Sequence, residues 1–333
     1  MRILGISNPD FLGVSVATRA ICTDWLPAPH MASPHEWQQL ASAIFHKGPD
    51  VLVVGGWSKG YIELLTELKR SGNKEFPILN VSHSTQFHGS YFHKDWQEPE
   101  FETAFKRGLV DLMGFVHPQT AEYYQKVRRT FAVWVPHAFP LQTKVVPPAT
   151  FRIGILGADH WYKNTEGPKI IARDFAANHK NVEVVESPAY SRPQEAFLAM
   201  LRSCSVLVHL SHLECYSNTV QEAWARGIPV ITSPSSSGLV SKNPLLTGGN
   251  KYTLSNLQLT SATEPMELYE KLLWVREGWG FESIAVHQAY RELCDRTAGY
   301  LNSVFVRLIN DYPNREHDVG FFESPFAREG LKL

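Results

Sequence analysis

The chain has 333 residues, enough for two domains of roughly 150 residues each, and is 44% hydrophobic and 20% charged. Its formal net charge of −1 argues against a protein that grips nucleic acid through a basic excess. No apolar run approaches the roughly 20 residues of a spanning helix, and Cys22, Cys204, Cys215 and Cys294 form no C-x-x-C pair. Free thiols in a cytoplasmic protein are the expectation.

From the N-terminus, RILGIS, DVLVVGG, PILNVSH, DLMGFV and FAVWVP read as short buried strands. Between them HEWQQLASAIFHK, YIELLTELKRSG, EPEFETAFKRG and QTAEYYQKVRR carry helical periodicity. Basic clusters at Lys69–Arg70, Lys106–Arg107 and Lys126–Arg129 fall at predicted helix ends, where the helix dipole favours them. They leave room for a peripheral membrane or acceptor contact. KVVPPAT, residues 144–150, is a proline-bearing break suited to a linker. The rhythm then restarts with FRIGILGA, VEVVES, SVLVHL and IPVITS, with PQEAFLAMLRSC as a helix among them. A last helix is predicted from about Phe281 to Asp311, and the aromatic residues beyond it predict a tail that packs back on the body.

Strand–helix alternation on both sides of a linker predicts an α/β protein of two Rossmann-like domains, residues 1–145 and 146–311, with 312–333 as a C-terminal segment. Ligands of parallel sheets gather at the carboxyl ends of the strands, so the expected site is an interdomain cleft faced by both sheets.

The stretch HLSHLECYSNTVQEAWARGIPVITS, residues 209–233, is the most informative. An apolar strand ends in a polar loop, a helix follows, Gly227 ends it and Pro229 stands just beyond. The amides of Ser217, Asn218 and Thr219 are placed to open the helix, a natural anion site. Glu222, one turn in, suits a ribose diol, and Glu214, at the loop entrance, suits a second polyol. The bland alternative is that Thr219-Val-Gln-Glu222 is a capping box in which Glu222 only caps backbone.

In order, Glu214, Glu222, Ala223, Gly227, Pro229 and Val230 resemble the Glu-x7-Glu signature of retaining, GT-B-fold glycosyltransferases of the family 4 type. The resemblance implies that Glu222 holds the nucleotide ribose, Glu214 the donor sugar, and the amides of Ser217 to Thr219 the diphosphate. It places Lys163, in FRIGILGADHWYKNTEG, on the diphosphate after the glycine Gly157. The family's Arg after that glycine is replaced by Ala158, with Lys169 and Arg192 as candidate substitutes. His83 matches a His facing the donor sugar, with His88 and His93 weaker candidates, and Gly13 with Val14 and Ser15 matches the remnant of a glycine loop close to the diphosphate and acceptor. His117, His137 and Ala138 are loose matches without assigned chemistry. The three neighbouring histidines lack the spacing of a metal site, and the chain has no D-x-D.

Function by resemblance is therefore transfer of a sugar from a UDP- or GDP-type nucleotide sugar to an unidentified hydroxyl acceptor, with retention and without a metal or other cofactor. A nucleotide-sugar epimerase or hydrolase on the same fold, and a catalytically weak nucleotide-sugar-binding protein, stand as alternatives. One glycine without G-x-G-x-x-G argues against a dinucleotide dehydrogenase.

Overall fold

The computed structural model describes residues 1–70, 76–83, 98–146, 149–157, 161–187 and 194–311. It divides into two units, Met1–Ala138 together with the chain from Thr297 onward, and Phe139–Arg296. His88, His93, Ala158, Arg192 and the segment 312–333 lie outside the described residues.

The first unit runs β1 (Ile3–Ser7), α1 (Leu12–Ile21), β2 (Asp24–Pro27), α2 (Pro34–Lys47), β3 (Val51–Gly55), α3 (Tyr61–Arg70), β4 (Ile78–Ser82), α4 (Glu98–Lys106), β5 (Leu112–Phe115), α5 (Pro118–Lys126) and β6 (Ala132–Trp134). The sheet order is β2-β1-β3-β4-β5-β6, and every neighbouring pair is parallel. Burial on both faces explains why β1, β3 and β5 are continuous apolar runs. The edge strand β2 was not legible: its four residues DWLP are half-exposed and end in proline, which only an edge tolerates.

Gly13, Val14 and Ser15, matched to the remnant of a glycine loop, lie within helix α1. Gly13 sits, exposed, in the first turn of a helix whose Ser15, Ala17, Thr18 and Ile21 are buried. The helix lies close on the sheet because Gly5 and Gly55 have no side chains. A Cβ on Gly55 would stand 1.9 Å from Thr18 Oγ1, and one on Gly5 would stand 2.8 Å from Cys22 Sγ.

The basic clusters are occupied locally. Arg70 pairs with Glu67 at 2.8 Å, Lys106 with Glu102 at 3.3 Å and Lys126 with Glu122 at 2.6 Å. Lys69 Nζ donates to the carbonyls of Arg107 and Gly108 at 3.2 and 3.4 Å. No described helix is long and apolar enough to cross a membrane.

The second unit runs β7 (Phe151–Ile155), a 3₁₀ turn (Trp161–Lys163), α6 (Glu166–Asn178), β8 (Val182–Glu186), α7 (Gln194–Arg202), β9 (Val206–His209), α8 (Asn218–Trp224), β10 (Val230–Thr232), a 3₁₀ turn (Pro234–Gly238), α9 (Gly248–Ser255) and α10 (Pro265–Asp311), whose residues from Thr297 belong to the first unit. Its sheet is again parallel, in the order β10-β9-β7-β8. Its core joins Ile153, Ile155, Val206 and Val208 to Phe175 of α6 and Leu268, Leu272 and Val275 of α10.

Helix α10 starts at Pro265, earlier than the expected Phe281, and has 47 residues. Two glycines, Gly278 and Gly280, flank Trp279 within this added stretch. In the fold Trp279 is buried, and its Nε1 donates to Ser205 O at 2.6 Å. That anchor continues the apolar spacing 268, 272, 275, 279, so packing overrides the poor helix propensity of two glycines.

Candidate functional site

Strands β7 and β9 are hydrogen-bonded neighbours, and the loops leaving their carboxyl ends carry the predicted site. These two loops are tied together by backbone and amide contacts. Asn164 takes the left-handed conformation, φ 47°, which asparagine tolerates better than most residues. Its Nδ2 donates to the carbonyls of Leu210 and Ala262, both at 3.0 Å. His212 N–H donates to Tyr162 O at 2.7 Å. The β9 loop is also held from β10, because the hydroxyls of Ser233 and Ser235 both donate to Ser211 O.

This frame brings Lys163 and Glu214 together. Lys163 Nζ donates to Glu214 Oε2 at 2.8 Å, and His209 Nε2 reaches the same oxygen at 2.8 Å. Ser217 Oγ lies 3.2 Å from that His209 nitrogen. Burial works against charge on both members of the ion pair, and their mutual attraction overrides it. Glu214 is held well below the usual carboxylate range by Lys163 and then His209, and Lys163 is raised by Glu214. Sequence reasoning missed His209. Its one signal was a polar residue closing the apolar run SVLVHL, where parallel strands deliver side chains to a site.

Ser217 is the N-cap of α8, and its Oγ accepts from Val220 N–H at 3.4 Å. Asn218 and Thr219 are therefore the first two helical residues, as expected for the helix opening. This register excludes the Thr219–Glu222 capping box. Glu222 lies beyond the first turn, and its Oε1 accepts from Gln194 Nε2 at 3.3 Å. The carboxyl is buried, which raises its pKa, while Arg226 and Gln194 pull the other way. Arg226 itself donates to Glu222 O at 2.7 Å. The helix closes in a Schellman motif, with Ile228 N–H on Ala223 O at 3.0 Å and Gly227 N–H on Trp224 O at 2.9 Å. Gly227 has φ 69°, which accounts for the glycine in G-x-P-V.

Gly157 follows β7 and exchanges hydrogen bonds with Ser187 Oγ, donating at 3.1 Å and accepting at 2.8 Å. Lys169, the candidate substitute for the absent arginine, is paired with Glu166 at 2.5 Å. His83 belongs to the first unit. Its ring is pulled down to about 3 by burial and, second, by His137, so it is neutral near pH 7. Its Nε2 lies 3.4 Å from Thr18 Oγ1. Among the described residues no group of three His, Cys, Asp or Glu side chains is placed to hold a metal ion.

No protein-family profile and no curated protein matches the chain. Solved structures do. The chain resembles an E. coli trehalose-6-phosphate structure bound with UDP-2-fluoro glucose, with TM-score 0.56 and 10% identity over 93% of this chain and 99% of that one. It resembles sucrose-phosphate synthase from Thermosynechococcus elongatus with TM-score 0.51 and 13% identity over 94% of this chain and 98% of that one. It also resembles a mutant of S. aureus TarM in complex with fondaparinux, alpha-GlcNAc-glycerol and UDP, with TM-score 0.53 and 11% identity, covering 83% of this chain and 59% of that one. At these identities the likeness is one of fold, and the fold is GT-B, built on two Rossmann-like parallel sheets.

Proposed function

We propose that the protein is a retaining glycosyltransferase that uses a UDP- or GDP-type nucleotide sugar, with residues 146–311 as the donor domain and residues 1–145 as the acceptor domain. The observation that carries this reading is the Lys163–Glu214–His209 cluster beside the Ser217-capped opening of α8, with the buried Glu222 further along the same helix. A buried carboxylate gains when a ligand hydroxyl replaces the water it has lost, which suits Glu222 to ribose and Glu214 to the donor sugar. The helix opening supplies amides and a dipole to the diphosphate between them.

In this reading the bond between the anomeric carbon and the diphosphate oxygen breaks, and its electron pair goes to the diphosphate. Lys163 stabilises the charge that grows there, an interaction stronger in the transition state than in the ground state. The acceptor oxygen bonds to the same face of the sugar, and its proton passes to the departing diphosphate. Neither a protein nucleophile nor a metal ion is required. The absence of D-x-D in the sequence agrees with a leaving group held by Lys163 and helix amides.

The testing experiment incubates a panel of nucleotide sugars with candidate hydroxyl acceptors in EDTA and follows both products. Release of nucleoside diphosphate matched by a new α- or β-glycoside of unchanged configuration supports the reading. Diphosphate release without a glycoside points to a hydrolase. Activity that is lost in EDTA and restored by magnesium or manganese removes the metal-free mechanism.

A further inference from the structure

Three groups meet at one carboxylate, and their geometry divides its two oxygens. Glu214 Oε2 takes both Lys163 Nζ and His209 Nε2 at 2.8 Å. Among the described residues, Oε1 takes only the long contact from Cys215 N–H at 3.4 Å. A carboxylate has no proton to give, so His209 Nε2 carries one and donates it. The partners differ in stiffness. Lys163 ends a four-carbon chain on a 3₁₀ turn, whereas His209 has two side-chain torsions and is locked in β9, in register with Thr232 of β10.

Drawing Lys163 away to an anionic ligand would strand a buried anion. The side chain of Glu214 is only 10% exposed, and removing one partner of a buried pair is costly unless another remains. His209, 6% exposed, is the partner that stays. We propose that His209 is a positioning residue. It holds Glu214 by Oε2 and keeps Oε1 for a sugar hydroxyl when Lys163 moves to the diphosphate. This rests on the nucleotide-sugar reading of the same site.

The test compares His209→Leu, which removes the donor, with His209→Gln, which restores an N–H at similar reach. Calorimetry measures affinity for UDP and GDP, kinetics measures kcat/KM for the nucleotide sugar, and crystals with bound nucleoside diphosphate report the Glu214 side chain. In His209→Leu, nucleoside diphosphate affinity should stay within about twofold, kcat/KM should fall about 10–100-fold, and His209→Gln should recover most of it. Glu214 should leave its position in the diphosphate-bound crystal of His209→Leu, where Lys163 no longer holds it. Unchanged kcat/KM, an unmoved Glu214, or equal loss of diphosphate affinity and turnover would each overturn the proposal. Failure of the wild-type protein to bind either nucleotide would instead sink the nucleotide-sugar reading. Diphosphate that binds while Glu214 stays in place in His209→Leu would overturn the positioning role alone.

Discussion

At the scale of single residues, charge pairing in the second unit was half legible. Lys163, Glu214 and Glu222 stand out in the sequence through their resemblance to the Glu-x7-Glu glycosyltransferase signature and the strand and loop that precede it. That Lys163 and Glu214 share an ion pair was not legible, because 51 positions separate them and only the pairing of β7 with β9 brings them together. The pair makes a pH-dependent contribution whose sign is fixed. The folded pKa of Glu214 lies below its ordinary 4.5, so its stabilisation is complete above that value and is lost as pH falls below it. Lys163 is raised above 10.5, so its share is complete below 10.5 and is lost as pH rises from there through its folded value. The stability gap between wild type and Glu214→Gln should therefore shrink as urea melts move from about pH 6 to about pH 3. A constant gap would show that the pair does not stabilise the fold. In the proposed transfer, catalysis asks more of Lys163 than folding does. Lys163→Ala should lower kcat by about 10²-fold, with a smaller loss of nucleotide-sugar affinity, in steady-state kinetics. Normal kcat in the folded variant would mean that another group holds the leaving diphosphate.

At the scale of elements, the buried strands were legible because burial on both faces leaves them as uninterrupted apolar runs. Elements defined by fit against a neighbour were not. Helix α1 hid behind β-branched residues and a lone glycine, and its place is set by what Gly5 and Gly55 lack. Thr18 marks the closest approach. Its Oγ1 donates to Val14 O at 2.8 Å and lies 3.4 Å from His83 Nε2, so it links α1 to the carboxyl end of β4. Gly55→Ala would put a methyl group 1.9 Å from that oxygen and 2.9 Å from Thr18 Cβ, both short of the 3.0 Å that real contacts respect. The helix must move. The expected cost in urea denaturation is about 1–3 kcal/mol, the scale of overpacking a close-packed interface. A loss below about 0.5 kcal/mol would mean that α1 is held loosely and that His83 does not depend on it.

At the scale of the whole molecule, the alternation of strands and helices announced two parallel sheets, while the division of the last helix between units could not be read. Residues 265–296 of α10 belong with the second unit and those from Thr297 with the first, and the helical period runs through both without a sign of the change. Lys163, Ser217 to Thr219 and Glu222, proposed for the nucleotide's diphosphate and ribose, lie in the second unit, which makes ligand linkage a test of the assignment. A ligand that binds only the folded protein stabilises it by about 2.7 kcal/mol at about 100 times Kd. UDP or GDP should therefore raise the melting temperature, and the added hydrogen-exchange protection should concentrate at 161–165 and 209–226. The loop amides there are tied by Asn164 and Ser217, so ligand binding should slow their local opening more than it slows exchange in the core of β9, which already opens rarely. In the Glu222→Ala protein the same concentration of nucleotide should give a smaller melting shift, because Kd rises while the ligand-free fold keeps its core. Protection confined to residues 1–138 would place the nucleotide on the other unit. A melting shift with no loss in Glu222→Ala would leave the ribose without its proposed partner.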